Sequence, residues 1–503
     1  MKNCNKLVRL VCLLLAMLMA VTLFAGCKKD KKVESSATSS KDATSILATD
    51  QIEESQGKWD PNIPEEKDLG GIEITMAGHG WAILPEEGES ADGDLIREAM
   101  FDIQKRYNCT FVHVDETDWF GVILPGLLAG DEIAKVVMPT VWRSGSFIAS
   151  RVCMDWNSDA IKQYIKTEEP WWNDTMSYAS NVEGKVYAGA CNIMGYAAMT
   201  HVCMFNKDIL KDVGMKDTDL YKMYRDKTWT WDEFRKIAKK AVKDLDQDGQ
   251  WTEKDQYGFV ASDYDSVEAF ISSADCGSIR TENGMNPKFT YVDIFPIEVL
   301  TTLNEMYTSD GTYFLGSNTK DANDNWHFYS MFQEGRALFL VHALSTISAE
   351  ATRNMEDEIG VMPVPLGPTA DGGWQENYKS RVDHNFQCQL IPVTNSDPAS
   401  TALVLEAMAY RRWQLTNDVM EMWGVNYVYD DDSAEIVENV YNWSTFEISQ
   451  FVYSINGSAF ANAVCVPMGR YISKVQNVDV VTMYASVADA MQMLIDDYFA
   501  GKI

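Results

Sequence analysis

Apolar and polar positions divide this chain into three stretches: an apolar run over residues 10–24, a polar segment, and, from Gly71 onward, alternating and helically spaced blocks. Residues 71–78, GIEITMAG, alternate apolar with polar and then meet glycine, which predicts a strand running into a turn. Leu95, Ile96, Met100 and Ile103 recur at helical spacing within 94–107, and 111–114 (FVHV) reads as a second strand. A helical stretch over 120–128 leads to a third strand at 134–138. Strands and helices in alternation predict a parallel α/β layer. A second α/β block follows Gly189, with a β-rich run at 200–205 and a helix beginning at Asn206. In TWTWDEF (228–234), Thr230 is placed to cap a helix with Glu233 as its capping-box partner. Phe234, Ile237, Ala238, Ala241 and Val242 then line one face. Residues 332–340 read as helix end, turn and strand, and 361–366 as an extended, proline-punctuated segment. From Pro398 to Tyr498 the pattern is mainly helical, and no repeat recurs at a fixed period.

The apolar run at 10–24 follows Lys2, Lys6 and Arg9, is shorter than the ~20 residues of a spanning helix, and ends at Ala25 and Gly26. That layout predicts a secretory signal over 1–26. Leu23-Phe24-Ala25-Gly26-Cys27 resembles the lipobox of bacterial lipoproteins, which implies lipidation of Cys27. Acyl chains bury about 0.8 kcal/mol per CH₂, enough when several share one cysteine to hold a domain on a bilayer. Residues 27–70 are rich in Ser, Thr, Lys and Asp, and predict a flexible lipid-anchored linker, with order beginning near Gly71. No later stretch is apolar and long enough to span a membrane. The expected location is therefore extracytoplasmic, on the outer face of a bacterial cell membrane, with membrane contact through the lipid alone.

Composition narrows the function. A chain of 503 residues, 46% hydrophobic and 11% aromatic, has material for two or three domain-sized units. Its formal charge of −31 becomes −34 once the three basic residues of the signal leave, which argues against nucleic acid as a partner. Cys4 and Cys12 lie in the signal, and seven cysteines beyond Cys27 are scattered singly without a CxxC pair. They read mostly as small buried apolar residues, with one unassigned bridge left open. GxSxG, HExxH, Walker and Rossmann signatures are absent, and the six histidines are dispersed. The expectation is a protein that is not an enzyme and uses no cofactor for chemistry. The rival is a glycosidase, whose two acids need only be close in space.

Six segments bear a further resemblance: GKVY (184–187), MFNKDIL (204–210), TWDEF (230–234), YGF (257–259), FQEGRA (332–337) and PVP (363–365). In this order, behind a lipobox, they resemble the family 1 extracellular solute-binding proteins of bacterial ABC importers, the sugar-binding lipoprotein type. The resemblance implies an α/β, two-lobed periplasmic-binding-protein-like fold (type II), with lobes joined by hinge strands crossing near 198–205, 338–343 and Ile391. Lobe one would comprise 71–198 and 343–391, and lobe two 199–342 and 392–503. The implied function is capture of a small polar ligand, a mono- or oligosaccharide, by hinge closure, and delivery by a monomer to ABC permease subunits. The alternatives are a surface polysaccharide-degrading enzyme and a ligand-presenting subunit of a sensory system.

Sugar recognition combines aromatic faces for C–H groups with planar polar side chains for hydroxyls. Among 15 tryptophans, Trp81 with His79 follows the first strand and Trp142 with Arg143 follows the third, at strand ends where open α/β sheets place ligands. Tyr196 precedes the first crossing, and His342 with Ser345 lies at the second. Asp263 and Asp265 follow the YGF strand, and Asp383, His384 and Asn385 precede the last crossing. Trp374 and Trp443 are further candidates. Separately, residues 244–255 (DLDQDGQWTEKD) have the spacing of a calcium loop. Asp244, Asp246 and Asp248 would give carboxylates, Gln250 its carbonyl, Gly249 the turn, and Asp255 the twelfth-place ligand, shorter than the usual Glu. A structural calcium is expected there; the alternative is a metal-free, aspartate-rich turn.

Overall fold

The alternation IEITMA forms β1 (Ile72–Ala77), whose Ile74 and Met76 point into the core. The computed structural model describes residues 59–503, apart from Trp81, Ala82, Glu89, 174–176, 178–179, 191–192 and 283–284. The signal, Cys27, most of the linker and the candidate Trp81 lie outside the described residues. After β1, Ser90 caps α1 (Ala91–Tyr107) by accepting from the Gly93 amide at 3.1 Å, and Asn108 ends it in the left-handed conformation. β2 (Cys109–Val114), β3 (Val136–Val137), α2 (Val141–Ala149), β4 (Ala188–Gly189) and α3 (Ile193–Ala198) follow.

The second block contains β5 (His201–Asn206), α4 (Trp231–Ala241), β6 (Tyr257–Ala261), α5 (Asp263–Ser273), β7 (Ala337–Ala343) and β8 (Ile359–Pro363). Thr230 caps α4 as expected, accepting from Glu233 N at 3.4 Å, while the Glu233 carboxylate turns to Lys236. After β8 come β9 (Ser380–Arg381), β10 (Gln389–Leu390), α6 (Pro398–Gln414), α7 (Thr416–Tyr427), α8 (Asp431–Asn439) and β11 (Ser444–Thr445).

Two sheets result. The first has the order β2-β1-β3-β10-β4, with β1, β2 and β3 parallel and β10 antiparallel to both neighbours. The second has the order β8-β5-β7-β6; β5 runs antiparallel to β7 and β8, and β6 parallel to β7. Every residue of β5 and β8 is buried, and both strands are mostly apolar, with His201 and Asn206 as the polar ends of β5. β9 pairs with β11 between the two halves.

Three boundaries differ from the sequence reading. Order begins before Gly71: Ile63 is buried, and the Pro64 carbonyl accepts from Tyr107 Oη at 2.7 Å and Arg106 Nη2 at 2.9 Å. A polar composition concealed this single apolar anchor. Residues 343–391, expected in lobe one, contain β8, which is hydrogen-bonded along β5 in the second sheet. Residues 392–503, expected in lobe two, begin with α6, which packs on α1 and joins it through Arg411 and Asp102 at 2.7 Å. Buried Glu406 of the same helix accepts from the indoles of Trp171 at 2.9 Å and Trp172 at 2.7 Å. The chain thus passes back to the first lobe after β8. It rejoins the second at α8, where Ser433 meets Tyr221 Oη at 2.7 Å and accepts from the Val361 amide at 3.0 Å.

Candidate ligand cleft

Where β6 ends, Ser262 opens α5, and Tyr264 and Asp265 occupy its first turn. Across from them β9 presents Arg381, a fully buried guanidinium. Its Nη1 lies 3.0 Å from Asp265 Oδ1, its Nε 2.8 Å from Glu268 Oε2, and its plane sits 5.5 Å from the centre of the Tyr264 ring. Glu268 also accepts from Tyr453 Oη at 2.6 Å. His384 Nδ1 is 3.2 Å from Asp265 Oδ1 and 3.9 Å from Asp383 Oδ1, and 3.0 Å from Arg381 Nη2. A buried charge must find partners, and here three carboxylates, a guanidinium and an imidazole stand in one ion-paired cluster.

The charges set the titration of the cluster. Burial alone would raise Asp265, but the charges of His384 and Arg381 hold its carboxyl well below the usual range. Asp383 is lowered in the same way, against its burial, by His384 and Arg381. Burial would lower His384, yet Asp383 and Asp265 raise it. His201, fully buried beneath them, goes the other way: desolvation outweighs Asp383 and brings it down to about 4. Its Nδ1 bonds the Arg381 carbonyl at 3.2 Å, which leaves Nε2 as the lone-pair nitrogen, 4.0 Å from Asp383 Oδ2.

From the first lobe, Trp142 at the start of α2 meets His384 edge-to-face, with ring centres 6.5 Å apart. Arg143 stacks over the same indole at 4.2 Å and donates to Thr140 Oγ1 at 2.9 Å. The Trp142 Nε1 is buried with no hydrogen-bond partner among the described residues. Phe120, 6.5 Å from Trp142, begins a cavity of about 400 Å³ that also takes in Ser146, Ser454 and residues 456–458.

Of the residues singled out from sequence, the structure brings Trp142, Arg143, Asp265, Asp383 and His384 together. Six others it places elsewhere. Tyr196 is core, packed edge-on to Phe386 at 5.5 Å and near Tyr441 at 6.1 Å. Asp263 is buried in an ion pair with Lys474 Nζ at 2.6 Å, away from the Arg381 set. His342 forms a second layer, stacked on Phe328 at 5.4 Å, bonded to Thr346 Oγ1 at 3.0 Å and lying 5.9 Å from His201. His79 is exposed on the turn after β1. Trp443 is core beside Tyr224 and Tyr378, and Trp374 stands half-exposed on a separate turn. Sequence reasoning missed Arg381, Glu268, Tyr453 and His201. The only signal for Arg381 was a charge two residues before Asp383 in a short polar stretch.

The loop at 244–255 folds on itself. Asp244 accepts from Gln247 N at 2.7 Å and Gly249 N at 3.0 Å, and buried Asp255 from Leu245 N at 3.1 Å and Thr252 N at 2.8 Å. Gly249 has φ +77°, the left-handed turn that the spacing requires. Carboxylate oxygens of Asp244, Asp246 and Asp255 lie within 4.8 Å of one another. Asp248 is outside that set and accepts from Gln250 N at 2.6 Å.

No protein-family model matches the chain, and no curated protein does. Solved structures do. The GacH receptor of Streptomyces glaucescens, solved unliganded and with acarbose and an acarbose homolog, is 14% identical, with 85% of this chain and 99% of that one covered at a TM-score of 0.52. A cyclic alpha-maltosyl-1,6-maltose binding protein from Arthrobacter globiformis is 12% identical over 86% and 100%, with a TM-score of 0.55. UgpB from Mycobacterium tuberculosis, in complex with glycerophosphocholine, is 15% identical over 85% and 99%, with a TM-score of 0.53. At these identities the likeness is one of fold.

Proposed function

We propose, from the premise that this chain has the two-lobed, periplasmic-binding-protein-like fold, that it captures a small polar ligand, a mono- or oligosaccharide, between its lobes and hands it to an ABC import permease. One observation carries the reading: an indole from the first lobe (Trp142), a carboxylate from the second (Asp265) and an imidazole from the connecting chain (His384) meet at one place. A ligand there touches both lobes, so its binding energy can favour their closed arrangement, which a permease can recognise. Two of the three structural neighbours described above hold or are named for oligosaccharide-like ligands, which supports the ligand class.

Capture without covalent chemistry also fits the carboxylates. Asp265 and Glu268 are tied to Arg381, and Asp263 to Lys474, so none is poised as the free acid or nucleophile of a glycosidase. Among the described residues no helix is long and apolar enough to cross a membrane. In this reading a lipid on Cys27 provides the tether, and the loop at 244–255 holds a structural calcium through Asp244, Asp246 and Asp255 with the Gln250 carbonyl.

The test is a thermal-shift screen of the purified mature protein against sugars, peptides, polyamines and glycerophosphodiesters, with chromatography of each sugar after incubation. A sugar that raises Tm and is recovered intact supports the reading. Cleavage products would replace it with an enzyme, and a shift by another class alone would replace the ligand.

A further inference from the structure

Resting on the reading of this protein as a saccharide binder, we infer that the turn at 456–458 is the recognition element for the ligand, and that the ligand is an uncharged polyol. Asn456 (φ 50°, ψ 52°), Gly457 (66°, 33°) and Ser458 (62°, 34°) are three consecutive residues in left-handed geometry. Glycine enters that region freely and asparagine tolerates it, but a serine there and a run of three are unfavourable for L-residues. Such backbone persists only where its surroundings dictate it, and it concentrates at ligand clamps.

Here the surroundings do dictate it. Just before the turn, Ser454 is fixed to α2 by Ser146 Oγ, which lies 3.0 Å from its carbonyl oxygen and 2.8 Å from its Oγ. A Cβ on Gly145 would fall 1.6 Å from the Phe451 carbonyl oxygen, so α2 and this segment meet backbone to backbone. Tyr453 is held by Glu268 on the other lobe, and Phe460 just beyond the turn is fully buried. The turn is therefore clamped at both ends and displayed between them.

What it is displayed to is the cavity of about 400 Å³ beside Phe120, within the ~300–1,000 Å³ of small-molecule sites. Among the described residues no Asp, Glu, Lys, Arg or His lines that cavity. Its polar groups are hydroxyls and one amide, and among the described residues the Asn456 and Ser458 side chains have no hydrogen-bond partner. Its apolar lining is the Phe120 ring with the side chains of Leu124, Ala149 and Ile455. Hydroxyl and amide groups beside an aromatic face match a neutral sugar, whereas a charged ligand would meet no counter-ion among the described lining residues.

The experiment uses the mature protein and its Asn456→Gly and Ser458→Gly variants, measured by calorimetric titration and by melting. The probes are glucose, maltose, maltotriose and raffinose, with glucuronate and glucosamine as charged counterparts. Glycine relieves the backbone and deletes the polar group. Each variant should melt about 1–2 °C above the wild type without ligand, yet bind the preferred neutral sugar about tenfold more weakly. A lowered Tm, an affinity within twofold of wild type in both variants, or tighter binding of glucuronate or glucosamine than of any neutral sugar would overturn the inference. If a neutral sugar binds wild type and variants alike, the saccharide reading stands and only the turn loses its role. If no probe binds, both fall.

Discussion

Arg381 is fully buried with Asp265, Glu268 and His384 on its guanidinium, and it is the charge that faces Glu268 there. Removing one partner of a buried ionic set leaves the others uncompensated. Arg381→Met should therefore cost about 3–5 kcal/mol in urea unfolding; a loss under about 1 kcal/mol would mean that the carboxylates re-solvate freely. Two histidines of the same cluster are driven apart, which gives a sharper test. His201 is pushed down to about 4 by burial, so in acid the unfolded chain takes its proton first and stability falls as pH drops from 6.5 towards 4. His384 is raised: its protonated form contributes stability below 6.5, and that contribution is lost as pH rises through the raised value. The lowered Asp265 contributes above 3.8 and loses that contribution as pH falls through its depressed value. NMR titration should show His384 titrating above 6.5 and His201 only near 4; two histidines both titrating near 6.5 would contradict the geometry. Asp265, Asp383, His384 and Trp142 were legible because polar clusters and tryptophans at strand ends stand out. Arg381 and His201 were not, since a lone buried charge inside a strand has no period, and only the paired lobes supply its partners.

At the scale of elements, period-2 and period-3.6 patterns located β1, α1, β2 and the Thr230 cap, where one face is more buried than the other. They failed where burial is uniform. α6 reads as helix, yet nothing in its sequence says which lobe it covers, because that choice rests on Glu406 reaching Trp171 and Trp172 over 230 positions away. The backbone turn at 456–458 was equally invisible, for its cause is the close approach of Gly145 and Phe451, far apart in sequence. The loop at 244–255 was the reverse case, with spacing that foretold a tight turn. Metal that binds only the folded loop stabilises by about 2.7 kcal/mol at a hundredfold excess over Kd. Asp246→Ala should thus lower Tm in calcium and leave it nearly unchanged in chelator. Equal losses in both would assign the aspartates to the turn alone.

For the whole molecule, the two-lobed fold was legible from six short motifs in order, while the lobe membership of β8 and α6 was not. β8 and α6 exchange lobes relative to the simple reading because each sheet recruits the neighbour that completes its burial. The proposed tether has its own test. Cys27→Ala should release the protein from membranes, or leave it unprocessed, on fractionation after a carbonate wash; retention at wild-type levels would remove the lipid from the account.

The central claim, ligand capture between lobes, meets its most direct test at Trp142. Its ring lies between Phe120 and His384 and is only partly buried, which suits a binding surface rather than core. Truncating an aromatic anchor costs about 2 kcal/mol or more of affinity, roughly thirtyfold, whereas truncating a core tryptophan costs about 3–5 kcal/mol of stability. Calorimetric titration of Trp142→Ala with whichever sugar shifts the wild type, read beside its melting curve, separates the two. The expected result is a ligand-free Tm close to wild type and affinity reduced about thirtyfold or more. An early melt with affinity intact would place Trp142 in the core and the ligand somewhere other than this cleft.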